Sequence, residues 1–434
     1  MKLLWNFIYN DIRKNKIMSV VLTLFLLLSV ILMAGGLRVT GIMLSSTRGL
    51  NQIATPPDFL QMHKGDYDTA AVQKFADTHS YLKDSQVISM LNITNAHILY
   101  HGESLENCLM DNGFVVQSQG FDYLLDMNNQ IAVVKEGEIG VPVYYHEELG
   151  IKVGDVITIQ DRDFRKNLTV VTLIRDAQMN AALTSSKRFL ISQQDQQEIS
   201  EHTGEWEYSI EYILNPGADI TQLESDYINE KMPTNGVAIT RPLLDLLNSL
   251  SYGLTAILLL VISLVLIMIA LLCLSYIIRA TLAEENRTIG TMKAIGFSVD
   301  VIRQLYLMKY MTFAIISGMI GYLIAIPFGD ICSDSVLLYC GEGMTEWMQW
   351  LYPLIGIVLL ELLVTFRCRR MIQKNLNSTV IELLRDEEHI KREGRYKLPQ
   401  YKCVNKNLVV ALGELSCKWK EYIVLFLYLY LQHF

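Results

Sequence analysis

The sequence predicts an α-helical transmembrane protein with four spans and a partial fifth, together with an extracytoplasmic α+β domain. Hydrophobic residues make up 51% of the 434 residues and charged residues only 19%, whereas roughly a quarter of the residues in soluble proteins are charged. The apolar residues are concentrated in four blocks, each long enough to cross a bilayer core about 30 Å thick. Between the first two blocks lie about 210 residues, enough for a hydrophobic core of their own.

We predict membrane helices over residues 17–37, 252–278, 310–329 and 347–366. The first three contain no charged residue, and the fourth contains only Glu361. Backbone polar groups in lipid must be satisfied within their own segment, so helices are the expected structure. The first block exceeds the roughly 7–15 residues of a signal peptide's apolar region, so we expect it to be retained.

The charge distribution predicts the side of the membrane on which each connecting segment lies. Residues 1–16, 279–309 and 367–421 hold 22 of the 37 basic residues but only 11 of the 45 acidic ones. Basic residues next to membrane helices favour the cytoplasmic side, so we expect a multi-pass plasma-membrane protein with a cytoplasmic N-terminus. The net charge of −8 belongs to the outer domain, residues 38–250. We therefore expect membrane lipid, and no nucleic acid, among the partners.

The remaining segments complete the predicted order of domains. Residues 1–16 form an amphipathic arm on the inner membrane surface, and residues 330–346 form an outer loop. The two cytoplasmic segments are residues 279–309 and 367–421, and an incomplete fifth helix covers residues 422–434. Residues 407–434 repeat the order of residues 6–34, an amphipathic arm followed by an apolar run. Such internal repeats are typical of transporters built from duplicated halves. We expect the chain to be one half of a duplicated protein, or else a complete four-span half with a dispensable tail.

The outer domain shows both strand and helix patterns. Runs of β-branched and aromatic residues bounded by turn residues predict strands at Ala96–Tyr100, Gln130–Val134, Asp155–Ile159 and Leu168–Leu173. Helices are predicted at Thr69–Thr78, Gln193–His202 and Ile220–Lys231. This mixture predicts an α+β domain.

Motifs for catalysis or metal binding are not found in the sequence. It contains no G-x-x-x-x-G-K-[ST] loop to hold nucleotide phosphates. His97 and His101 lie in a strand-like run, where that spacing does not share a face, so surface histidines are expected instead of metal ligands. We therefore expect no catalytic residue and no metal ligand. The spacing of Cys332 and Cys340 leaves open both a disulfide and two free thiols.

Glu361 is the one charged residue within the predicted spans. An ionisable residue inside the membrane is a functional candidate by default. It lies close enough to the cytoplasmic end of its helix to reach the interface or to pair with Arg367, so both a transport role and a structural role remain open.

The segment Ala283 to Tyr306 is the most informative part of the chain. Its charges alternate with apolar residues, which predicts a helix ending near Gly296 and a turn into a second helix. The corner between them is suited to docking into a groove on a soluble partner. An amphipathic linker lying along the membrane fits the same pattern.

The run Glu285 to Gly296 resembles the E-x-R-x-x-E-I-x-x-L-x-A-x-G segment of FtsX-like permeases. It matches that segment at Arg287, at Met292 to Ala294 and at Gly296, and it lacks the family's glutamate before the isoleucine. Residues 137–159 look like part of the outer domain of macrolide-exporter-type (MacB-like) permeases. Residues 377–385 (NSTVIELLR) are similar to the tail that follows the fourth span in the family.

The resemblance implies the membrane subunit of an ABC transporter, here the N-terminal half of a duplicated permease. A separate ATP-binding subunit would bind ATP and Mg, so this chain would carry no cofactor and would not be an enzyme. The residues that would couple to this subunit are Glu285, Arg287, Met292, Lys293, Ala294 and Gly296. The other implied partner is a second permease half or a second copy of the chain.

The implied activity is export or extraction of a lipid-like or peptide substrate, such as an antimicrobial peptide. The alternative is a sensory or mechanotransmission protein, which would regulate an envelope enzyme through its outer domain without transport.

Overall fold

The computed structural model describes residues 16–179, 184–343 and 347–376. The predicted arm at 1–16, most of 367–421 and the partial helix at 422–434 lie wholly or largely outside these residues. The chain divides into two compact units. Of the described residues, the first includes 16–35, 259–327 and 353–376, and the second includes 36–258 and 328–352.

Four helices of the described residues are long and apolar enough to cross a membrane, which confirms the predicted fold class for this part of the chain. They are α1 (Lys16–Ala54), α6 (Arg241–Glu284), α8 (Val299–Ile331) and α10 (Met348–Leu376). Each helix extends beyond its predicted span. Hydropathy marks where a helix can lie in lipid, whereas a helix ends only where its backbone hydrogen bonds stop.

The first unit is held together by apolar contacts between the long helices. Leu26 and Val30 of α1, Ile278 of α6, Tyr310 of α8 and Val364 of α10 are all buried in one cluster. Gly321 of α8 lies against α1, since a Cβ atom placed there would come within 2.8 Å of Val30 Cβ. A small residue at this position lets the two helices approach closely, as is common between membrane helices.

The second unit is built on a mixed sheet of eleven strands among the described residues, in the order β11-β1-β10-β2-β5-β9-β6-β8-β7-β3-β4. The strands are β1 (Phe59–Lys64), β2 (Leu82–Asn92), β3 (Ile98–Tyr100), β4 (Glu103–Ser104), β5 (Asp111–Val115), β6 (Glu138–Pro142), β7 (Val156–Asp161), β8 (Phe164–Ile174), β9 (Ser186–Ile191), β10 (Glu205–Leu214) and β11 (Ala238–Thr240). β5 pairs with β9 in parallel and β6 with β8 in parallel, while β1, β10 and β2 are antiparallel. The predicted α+β domain is therefore confirmed.

Short helices lie between these strands: α2 (Thr69–Thr78), α3 (Val143–Leu149), α4 (Gln193–Ser200) and α5 (Ile220–Asn229). Another short helix, α9 (Asp334–Cys340), follows α8. A separate short helix, α7 (Asn286–Ala294), follows α6. Stacked Phe114 and Phe189, with ring centroids 4.9 Å apart, lie in the core between β5 and β9. The predicted outer loop at 330–346 contains α9 and belongs to the sheet unit.

The strand predicted at Gln130–Val134 is wrong. Asp126 Oδ1 accepts hydrogen bonds from the N–H groups of Asn128 and Gln130, both at 2.8 Å. This Asx-type turn occupies the backbone that a strand would need. Only Ile131 makes a bridge, and Val133 is 77% exposed.

The two cysteines left open by spacing are free thiols. Cys340 is buried in α9, and its sulfur lies 4.0 Å from Thr47 Oγ1. Cys332 is half-buried at the end of α8. The structure therefore contains no Cys332–Cys340 disulfide, which answers the question that the spacing left open.

Candidate coupling site

The corner between α7 and α8 lies at the end of the long helices that the charge distribution assigns to the cytoplasm. Helix α6 ends at Glu284, and Glu285 leaves helical geometry with φ −96° and ψ 10°. Helix α7 then begins at Asn286. The segment therefore forms a separate short helix after the long one, with a break at Glu285 that the sequence analysis did not predict.

Gly296 ends α7. Its φ of +101° is one that residues with a Cβ rarely adopt. The N–H of Gly296 donates to Lys293 O and the N–H of Phe297 donates to Met292 O, both at 3.0 Å. These bonds satisfy carbonyls that the helix end would otherwise leave without donors. The predicted helix end near Gly296 is confirmed, with its cause in the glycine.

Ser298 starts α8. Its side-chain oxygen accepts from the N–H of Val301 at 3.4 Å, and its carbonyl accepts from the N–H of Ile302 at 3.2 Å. Asp300 in the first turn forms an ion pair with Arg303 at 2.7 Å. A carboxylate is favourable at this end of a helix because the N-terminus carries a partial positive charge.

The inner face of the corner fixes α7 to α8. Ile289 and Gly290 are buried, and Ile289 belongs to the same apolar cluster as Ile302 and Tyr306. The hydroxyl of Tyr306 donates to the carboxylate of Glu285. A displacement of α7 would therefore be passed to the start of α8 through both apolar and polar contacts.

The outer face is a continuous exposed turn. All eight residues from Ala294 to Val301 are exposed, and we call them the corner loop. Ile295 is 73% exposed and Phe297 is 51% exposed. Large apolar side chains exposed at a helix corner mark a surface that contacts either a protein partner or the membrane interface.

The predicted coupling residues divide into two groups. Glu285 faces Tyr306 and therefore positions α7, whereas Arg287, Ala294 and Gly296 are exposed. Met292 and Lys293 are half-buried, and burial lowers the pKa of Lys293. The resemblance did not identify Ile295 and Phe297 as contact residues. The signal that could have found them is the glycine between two large apolar residues.

Glu361 lies in α10, apart from the corner loop in the chain. A Cβ atom added to Gly318 of α8 would meet the Glu361 carboxylate, so glycine leaves the space that this carboxylate uses. A Glu361–Arg367 pair, one of the arrangements that the sequence left open, is not among the ion pairs of the described residues. No group of three or more potential metal-ligating side chains is found in the described part of the chain.

Comparisons with known proteins match one family and a number of solved structures, two of which are described here. Residues 260–372 match the family described as FtsX-like permease C-terminal, and this range contains the whole corner. The periplasmic region of MacB from Actinobacillus actinomycetemcomitans is similar at 9% identity and a TM-score of 0.26, over 47% of this chain and 96% of that chain. A domain of a putative permease protein from Porphyromonas gingivalis gives 9% identity and a TM-score of 0.25, over 40% and 81%. Among curated proteins none matches the chain.

Proposed function

We propose that this chain, an FtsX-like permease over residues 260–372, is the membrane subunit through which a separate ATP-binding subunit drives export or extraction of a lipid-like or peptide substrate. The resemblance predicted from the Glu285–Gly296 run is confirmed by the family match. The protein is therefore a permease-type membrane protein. ATP and Mg would bind to the partner subunit.

The exposed corner loop is the observation that supports this function. Burying the side chains of Ile295 and Phe297 in a partner groove would stabilise the complex by about 1.5–3 kcal/mol each, before the cost of association. Arg287 is exposed in the first turn of α7 and adds positive charge to the cytoplasm-assigned end of the helices. A groove that is apolar at its centre and acidic at its rim would complement this surface.

The proposed mechanism is a two-state movement of the corner. Closure of two ATPase subunits on ATP would push α7, and the Glu285–Tyr306 hydrogen bond would carry the displacement into α8. Nucleotide can drive this movement only by binding the two states of the complex with different affinity. Two ATPase subunits need two permease halves, supplied by a second copy or by a second half of a duplicated permease.

Substitution of the corner loop tests the proposal. Ile295→Asp and Phe297→Asp should abolish co-purification with the ATP-binding subunit and the stimulation of its ATPase activity. Leu109→Asp is the matched control, because Leu109 is 92% exposed in the sheet unit and should leave both properties unchanged. Unchanged co-purification and ATPase stimulation in both corner-loop variants would rule out this surface.

Mechanotransmission is the second candidate function. It is favoured by the length of α6, whose 44 residues are uninterrupted and exceed the roughly 20 needed to cross a bilayer. Four such helices could carry a movement outward without moving a substrate. Two results together would favour this candidate over transport. ATP would change the hydrogen-exchange protection of strands β1–β11, and vesicles would show no ATP-dependent flux of lipid or peptide.

A further inference from the structure

A cavity of about 730 Å³ lies within the sheet unit. Its walls come from the last turn of α1 (Gly49, Gln52 and Ile53), the Asx-type turn (Met127, Asn128 and Asn129), the end of β8 (Arg175) and the α9 region (Leu337 and Glu342). This volume falls within the range of small-ligand sites, about 300–1,000 Å³. None of the residues that line this cavity belongs to a predicted motif or to the corner loop.

Arg175 forms a fixed wall of the cavity. The residue is only 5% exposed, and its guanidinium donates to Leu337 O, Leu338 O, Met127 O and Asn129 Oδ1 at 2.8–3.0 Å. Within the described residues no carboxylate lies at ion-pair distance from it. Four of its five N–H groups are therefore already used, in hydrogen bonds that hold the guanidinium in place.

The remaining wall is rich in hydrogen-bond acceptors. Pro56 and Pro57 follow α1, and because proline has no N–H they cannot donate to the carbonyls of Gln52 and Ile53. The hydrogen bonds of the described residues provide no other donor to these two carbonyls. They carry the partial negative charge of a helix C-terminus, and Glu342, an exposed carboxylate, lines the same cavity.

The other lining groups suit a peptide. The side chains of Gln52 and Asn128 make no hydrogen bond among the described residues, so their amides can pair with peptide groups. Ile53, Met127 and Leu337 add an apolar wall. A small molecule that combines an ammonium group, peptide groups and an apolar side chain would satisfy all three kinds of wall.

We propose that this cavity binds a short peptide through its free ammonium group, which is received by Glu342 and the α1 carbonyls of Gln52 and Ile53. The peptide backbone lies against Asn128 and Gln52, and one apolar side chain lies against Ile53, Met127 and Leu337. That such a peptide is transported or sensed rests on the proposed function, whereas its binding does not.

Protection of a cysteine placed in the wall tests the proposal on the purified full-length chain. Gly49→Cys, at a lining position that takes no part in the proposed contacts, is alkylated with a maleimide, and the peptide containing position 49 is quantified by mass spectrometry, which separates it from the native cysteines. The probes are leucylglycylglycine, its N-acetyl form and its C-terminal amide. Gln222→Cys on the exposed face of α5 is the control.

We expect the free peptide and its amide to slow alkylation at position 49 about tenfold when present at about ten times their Kd. The N-acetyl form, which lacks the ammonium group, should give no protection, and position 222 should be unaffected by any probe. Glu342→Gln should weaken binding about two- to fivefold, since an exposed ion pair contributes little.

Equal protection by the acetylated peptide, loss of protection on amidation, or no protection by any probe would overturn the site. None of these results depends on the ATP-binding subunit. The two proposals can fail separately. If no peptide protects the cavity but Phe297→Asp still abolishes binding of the ATP-binding subunit, the proposed function stands and the peptide site does not.

Discussion

The sheet unit and the corner loop use arginine–carboxylate pairs in opposite ways. Arg188 of β9 has a side chain only 1% exposed, and it pairs with Asp122 and Asp176, each at 2.5 Å and each at most 4% exposed. Arg303 of α8 pairs with Asp300, which is 72% exposed. A buried pair cannot lose one partner without leaving a charge in an apolar surrounding, whereas water replaces the partner at an exposed pair.

Glu211 of β10 extends the buried cluster. Its carboxylate accepts hydrogen bonds from Gln86, Gln178 and Ser209 at 2.8–2.9 Å. Burial, with a further contribution from the Asp122 charge, raises the pKa of Glu211 to about 8. The comparison indicates that the sheet unit is held in one arrangement by buried polar contacts, while the corner loop is free to adapt to a partner.

The largest expected effect is that of Arg188→Met. Removing the guanidinium leaves Asp122 and Asp176 buried without their cation, so the sheet unit should lose about 3–5 kcal/mol of stability. Hydrogen exchange of the β9 and β10 amides in the full chain measures this loss. Arg165→Met, at an exposed arginine of β8, is the control, and equal exchange in the two variants would contradict the role of the buried cluster.

The second effect is a pH dependence centred on Glu211. Because its pKa is raised in the folded state, protonated Glu211 contributes stability that is present at acid pH and lost as pH rises towards about 8. The slope for one proton approaches about 1.4 kcal/mol per pH unit. Thermal unfolding followed between pH 5 and 8 should therefore show falling stability.

Glu211→Gln stays neutral and should flatten this profile. If the variant and the parent protein lose stability in parallel over this range, Glu211 is not the titrating group.

A smaller effect is expected at Gly296. A Cβ at this position meets no neighbour within 4 Å, so Gly296→Ala should cost about 1 kcal/mol through the positive φ alone. Stimulation of the ATPase subunit should fall while the sheet unit keeps its hydrogen exchange. Gly296→Asn should be milder, since asparagine tolerates positive φ better than alanine does. The reverse order of the two variants would argue against backbone strain.

The smallest effect is expected from Asp300→Asn. This exposed pair with Arg303 should contribute less than about 0.5 kcal/mol, and that contribution should weaken in high salt. Thermal unfolding at low and high salt measures it. A loss as large as that of Arg188→Met would contradict the distinction between the two regions.

Local signals explain which elements could be predicted from the sequence. Helices α2, α4 and α5 are preceded by the capping residues Asp68, Ser192 and Asp219, each of which accepts a hydrogen bond from a backbone N–H in the first turn. Such caps lie within three residues of the groups they bind and are visible in the sequence. The same holds for Gly296 at the end of α7.

Long-range contacts explain what could not be predicted. Arg188 and Asp122 are 66 positions apart, and Arg175 reaches the α9 carbonyls across more than 160. No local pattern relates such residues, so neither the buried cluster nor the cavity could be inferred. Ile295 and Phe297 lie in the turn between α7 and α8. Their exposure therefore depends on how the two helices pack, and no helical pattern in the sequence predicts it.

Photocrosslinking from position 297 tests most directly whether the corner loop binds the ATP-binding subunit. A benzoylphenylalanine at Phe297 should crosslink to the ATP-binding subunit in membranes, and the same group at Leu109 should not. Crosslinking from position 109 instead, or from neither position while the two proteins still co-purify, would contradict the account.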